Sequence, residues 1–91
     1  MEYTDLYING AWVKTSERFD VINPATEEVL TSVASADIAA ADAALDAAEA
    51  AMTLWAAQTP RHRSEVLRKA WELMTARLPE FANLITLENG K

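Results

Sequence analysis

The sequence predicts an α+β arrangement in which two N-terminal β-hairpins, residues 1–34, are followed by two to three amphipathic helices, residues 35–91. Three observations carry that expectation. Asn9-Gly10 stands between two short runs of strand-favouring residues, the strongest short-range signal for a two-residue hairpin turn. From Ser35 onward apolar residues recur at steps of three and four, the period of one helix face. Thr59-Pro60 then has the chemistry of a helix start and Gly90 that of a helix stop.

The turn fixes the register of the first hairpin. In LYINGAWV it sets Ile8 opposite Ala11, Tyr7 opposite Trp12 and Leu6 opposite Val13, so the two aromatic residues share a face. A phosphate-cradling role for Gly10 would need companion glycines, and the chain has only two glycines. The second hairpin is expected from Phe19–Ile22 and Val29–Val33 around a turn that contains Pro24. Asn23, ahead of the proline, is pushed out of the helical region, and Pro24 fixes φ for the turn.

The first helix carries Ile38, Ala41, Leu45, Ala48, Met52 and Trp55 on one side and Asp42, Asp46 and Glu49 on the other. Ser35 is the expected N-cap, with Asp37 in the first turn where the helix dipole favours an anion. Because its stripe is mostly methyl groups, this helix is expected to lie close against a neighbour. The second helix, capped by Thr59 with Pro60 at its first position, presents Val66, Leu67, Ala70, Trp71, Leu73, Met74 and Leu78. Glu65 and Lys69 are spaced for an outward ion pair. Pro79 breaks or kinks the pattern, and Phe81, Leu84, Ile85 and Leu87 continue it to Gly90, whose missing Cβ suits a left-handed cap.

Composition narrows the function. Of the 91 residues 51% are hydrophobic, but much of that share is alanine, which contributes little apolar area per residue ordered. A chain of this length buries only about 60% of its unfolded surface, so its own core is expected to be thin. A formal charge of −6 argues against a nucleic-acid partner, which requires clustered cations. The local exception, Arg61, Arg63, Arg68, Lys69 and Arg77, reads as the solvated face of a helix, as do the acids that precede it. No basic region followed by an apolar run opens the chain, and no apolar stretch is long enough for a membrane span; a soluble, cytoplasmic protein is expected.

No constellation for catalysis emerges. The chain has no cysteine, so it offers no thiol nucleophile, thiolate ligand or disulfide. His62 is the single histidine and falls among arginines in a helical first turn, where a solvated side chain is expected. Asp42 and Asp46 lie one turn apart, too few oxygens for a hard cation. Met52, Met74, Trp55 and Trp71 read as core residues. No glycine-rich phosphate loop and no nucleophile elbow is present. No catalytic, cofactor-binding or metal-ligating residue is therefore assigned.

Five pieces in order, YINGAWV, INPATEEVL, the alanine-rich helix ending in tryptophan, RSEVLRKAWELM and LITLENGK, resemble the N-terminal segment of the aldehyde dehydrogenase superfamily. LRKAWELM and TLENGK look most like its succinate-semialdehyde branch. The resemblance implies the N-terminal part of an α/β aldehyde dehydrogenase fold, with residues 1–91 an incomplete segment of the NAD(P)-binding domain. In the family, the Gly-Lys that ends this helix is followed by proline and a much longer enzyme. Members oxidise an aldehyde with NAD or NADP through a cysteine nucleophile and a glutamate base, all downstream of the matched region. The segment itself is thus expected to bind no cofactor and to be inactive. Its expected partners are the remainder of a homo-oligomeric parent and, in isolation, other copies of itself. The alternative is a small autonomous helical interaction module. One departure from the family is Glu27, where the turn often carries glycine; a positive φ there would cost on the order of 1 kcal/mol.

Overall fold

The computed structural model describes residues 3–90. β1 (Leu6–Ile8) and β2 (Ala11–Val13) pair antiparallel in the predicted register. Asn9 and Gly10 both take positive φ, 51° and 76°, the conformation that lets a two-residue turn follow the strand twist. Trp12 lies against both tyrosines, with ring centroids 5.2 Å from Tyr3 and 4.9 Å from Tyr7. These aromatic pairs stiffen a hairpin that is too short to be stable alone.

β3 (Arg18–Ile22) and β4 (Val29–Ala34) form the second antiparallel pair. Val21 faces Thr31 but Ile22 faces Val29, so Leu30 is an extra residue and the ladder carries a bulge. The turn closes through its own side chains and backbone. Asn23 Oδ1 accepts from the Ala25 amide at 2.9 Å, and the Glu27 amide donates to the Asn23 carbonyl at 2.8 Å. Closing that four-residue loop places Glu27 at φ 63°. The residue standing where glycine is common therefore does adopt the left-handed conformation.

The hairpins are tied by one side chain. Arg18 Nη1 pairs with Asp5 Oδ1 at 2.8 Å, Nη2 donates to Thr4 Oγ1 and the Ser32 carbonyl, each at 2.9 Å, and Nε donates to Ser32 Oγ. A backbone bond reinforces the tie, from the Ala34 amide to the Thr4 carbonyl at 2.8 Å, while the Ser35 amide, donating to the Glu17 carbonyl at 3.0 Å, prolongs the second hairpin itself.

α1 (Ile38–Ala56) is capped by Asp37, not by Ser35 as the sequence suggested. Asp37 Oδ1 accepts from the Ala40 amide at 2.8 Å, a charge-assisted cap, whereas the Ser35 amide is held by Glu17 as an extension of the hairpin. α2 (Pro60–Ala76) starts as predicted, with Thr59 Oγ1 accepting from the His62 amide at 3.1 Å. Glu65 pairs with Arg61 at 3.1 Å rather than with Lys69, and a second pair joins Arg68 to Glu72. The break into α3 (Leu78–Asn89) falls at Arg77; Pro79 sits inside the first turn of α3, where a missing N–H costs nothing. Gly90 closes α3 at φ 68°, its amide donating to the Thr86 carbonyl at 2.8 Å. A Cβ at Gly90 would lie 2.9 Å from Pro24 Cγ, so the end of α3 is seated on the turn of the second hairpin. Lys91, which completes the Gly-Lys pair, lies outside the described residues.

Ala34, at the end of β4, is the single buried hydrophobic residue described, and no helix contains a buried residue. The expected close packing of α1 is not formed within the chain. The radius of gyration is 16.6 Å, against about 12 Å for a compact domain of this length. The accessible surface is 7529 Å², against about 5,200 Å² for a compact 10 kDa monomer. The chain forms a slab of 48 × 34 × 17 Å whose helices are ordered by their caps and local pairs, without a core of their own.

Candidate functional site

The titratable residues nominated by the sequence remain apart. His62 is exposed at the start of α2, edge-on to the Trp55 ring at 6.5 Å. Asp42 and Asp46 stay on the exposed face of α1, and no three His, Cys, Asp or Glu side chains among the described residues are grouped to hold a metal ion. Two open concavities exist. One, of about 440 Å³, lies under the β2–β3 connection beside Lys14, Glu17 and Asp37. The other, of about 590 Å³, lies between α3 and the residues ahead of β1, and is bordered by Tyr3, Thr4, Val33 of β4, Arg77, Phe81 and Glu88. In the first, the Thr15 hydroxyl donates to the Glu17 carbonyl and the Asp37 carboxylate is engaged in capping α1.

What the structure does assemble is apolar surface. On α2, Trp71 is 60% exposed and Leu73 54%; on α1, Leu45, Met52 and Leu54 are exposed as well. Contiguous patches beyond a few hundred Å² are rare on soluble monomers and mark interaction surfaces. Covering a Leu or Met side chain contributes about 1.5–3 kcal/mol, so these faces suit an apolar cover. Among the described residues no helix is long and apolar enough to cross a membrane.

Two arginines have particular places: Arg63, which the sequence placed among solvated charges, and Arg18, which it did not single out. Arg18 ties the hairpins. Arg63 is partly buried, and its Nε is sealed from solvent without a hydrogen-bond partner among the described residues. A signal for Arg63 was available in the sequence: Thr59, Pro60, Val66 and Leu67 occupy the positions three and four residues away, so no acid can reach it along the helix. Arg18 gave no such signal, because its partners lie 13 and 14 residues distant.

Two hairpins and three helices with apolar side chains left exposed make up the described residues. Residues 12–91 match the aldehyde dehydrogenase family, and the chain belongs to that family. The two hairpins and three helices are the N-terminal part of its fold. The chain is similar to succinate-semialdehyde dehydrogenase [NADP(+)] of Saccharomyces cerevisiae, 40% identical over 86 residues, covering 93% of this chain and 17% of that protein. It also superposes on the crystal structure of a NAD-dependent benzaldehyde dehydrogenase from Corynebacterium glutamicum, with a TM-score of 0.91 at 31% identity, over all of this chain and 20% of that one. The chain thus spans about one-fifth of the length of these relatives.

Proposed function

We propose that these residues are the N-terminal scaffold segment of the cofactor-binding domain of an NAD- or NADP-dependent aldehyde dehydrogenase. The whole protein, a cytoplasmic homo-oligomer, would oxidise succinate semialdehyde to succinate. The observation that carries the scaffold reading is the set of three amphipathic helices without a buried residue between them. The substrate reading is supported by the likeness to the yeast enzyme. The residues present do not fit the nicotinamide cofactor. A pyrophosphate needs a glycine turn leading into a free helix N-terminus, whereas Asp37 places its own carboxylate on the first turn of α1, the Thr59 hydroxyl fills that of α2, and α3 follows directly from Arg77 with no glycine ahead of it. The role left to this chain is mechanical. It presents apolar faces for the catalytic and cofactor layers to pack on, and the hairpins hold the end of α3 in place.

The test is an absorbance assay of reduced cofactor. The whole protein should reduce NAD or NADP with succinate semialdehyde, and the 91-residue chain alone should give no signal above a blank. Turnover by the chain alone would overturn the scaffold reading. A whole protein that prefers an uncharged aldehyde by about tenfold in kcat/KM, equal to about 1.4 kcal/mol of transition-state binding, would overturn the substrate.

A further inference from the structure

We infer that Arg63 is the docking cation of this segment, and that the polypeptide covering α2 presents a carboxylate to its guanidinium. The inference rests on the proposed reading that the rest of the same protein covers α2. Arg63 differs from every other arginine in the chain. Arg18, Arg61, Arg68 and Arg77 each pair with a carboxylate, Asp5, Glu65, Glu72 and Glu80 respectively. Among the described residues Arg63 has no such pair, and its Nε is already out of reach of water.

Helical spacing explains the difference. Arg63 stands three, four, seven and eleven residues before Val66, Leu67, Ala70 and Met74, so it heads the apolar stripe of α2 and not its outer face. Arg61, on the outer face, has a side chain 89% exposed. A surface seated on Val66 and Leu67, one turn along the same stripe, lies against the partly buried Arg63 as well. Guanidinium cannot shed its charge at any relevant pH, and an unpaired buried charge is far too costly to persist. A purely apolar cover is excluded on that ground; an anionic acceptor satisfies the charge and the orphaned Nε together, in the geometry that a carboxylate matches to an arginine fork.

The experiment compares Arg63→Met with Arg61→Met in the whole protein by urea unfolding, with amide exchange of α2 compared between the whole protein and the 91-residue chain. In the whole protein Arg63→Met should lower the folding equilibrium constant by at least about tenfold, because it strands a buried carboxylate, while Arg61→Met should change it by less than about threefold. If Arg63→Met does not fold, Arg63→Lys, which keeps the charge and loses the fork, should fold with an intermediate loss. A structure of the whole protein should show a carboxylate oxygen within about 3.5 Å of Arg63. Equal effects of the two methionine variants in the whole protein, or a guanidinium surrounded by water, would overturn the inference. Amide exchange of α2 in the two forms reports separately whether the helix is covered. The enzymatic assay fails or succeeds independently of the Arg63 contrast.

Discussion

Residues 3–35 and residues 37–90 are ordered by different means. In the hairpin half the interactions reach across the sequence: Arg18 gathers Thr4, Asp5 and Ser32, the Ala34 amide returns to Thr4, and Trp12 meets two tyrosines. Among the described residues the one buried hydrophobic, Ala34, lies there. In the helical half nearly every named polar interaction is local, a cap at Asp37, Thr59 or Gly90 or an ion pair three or four residues apart. Exposed local pairs contribute only a few tenths of a kcal/mol each. The comparison teaches that the hairpins define their own tertiary arrangement, whereas the helices depend on an apolar cover for theirs.

The largest expected effect strikes the hairpin half. Arg18→Met removes an ion pair and its accompanying hydrogen bonds, and should destabilise that half by about 2 kcal/mol, read as faster exchange at the Ala34 and Ser35 amides with the α2 amides unchanged. A uniform change across both halves would show that they are not separable. Next comes the seam between them. Gly90→Ala should cost about 2 kcal/mol, since it adds a clash with Pro24 to the left-handed penalty. Gly10→Ala, at a similar φ with no atom within 4 Å of the new Cβ, should cost only about 1 kcal/mol; equal losses in Tm would show that the seat on Pro24 contributes nothing. Within the helical half, Thr59→Ala should cost about 1 kcal/mol of α2 stability, measured by circular dichroism during urea unfolding. The smallest effect has the opposite sign. Glu27→Gly should stabilise the second hairpin by about 0.5 kcal/mol, the left-handed strain relieved less the entropy glycine adds to the unfolded chain, and a lowered Tm would contradict it.

The parts legible in the sequence were those set by short-range stereochemistry. Asn9-Gly10 fixed the register of the first hairpin residue by residue, Thr59-Pro60 located the start of α2, and Gly90 located the left-handed end of α3. Two local choices went the other way, because competing groups stood within reach: Asp37 outcompeted Ser35 as a cap, and Arg61 took the carboxylate expected to meet Lys69. Tertiary placement was not legible. Nothing in the order of residues announces that Arg18 bridges the hairpins or that Gly90 seats on Pro24, since both depend on how separate elements meet. The apolar stripes were readable as faces to be buried, and the structure adds that the chain does not bury them itself.

The most direct test of the dependence of the helices on an apolar cover is amide hydrogen exchange on α1 and α2, measured in the 91-residue chain and in the proposed whole protein under identical conditions. Dependence predicts weak protection of Leu45, Met52, Leu67 and Met74 in the chain alone and strong protection in the whole protein, with dye binding and self-association of the chain disappearing in parallel. Equal protection in both, accompanied by a monodisperse monomer with a cooperative melt, would contradict it and show that the helices are held by this chain alone.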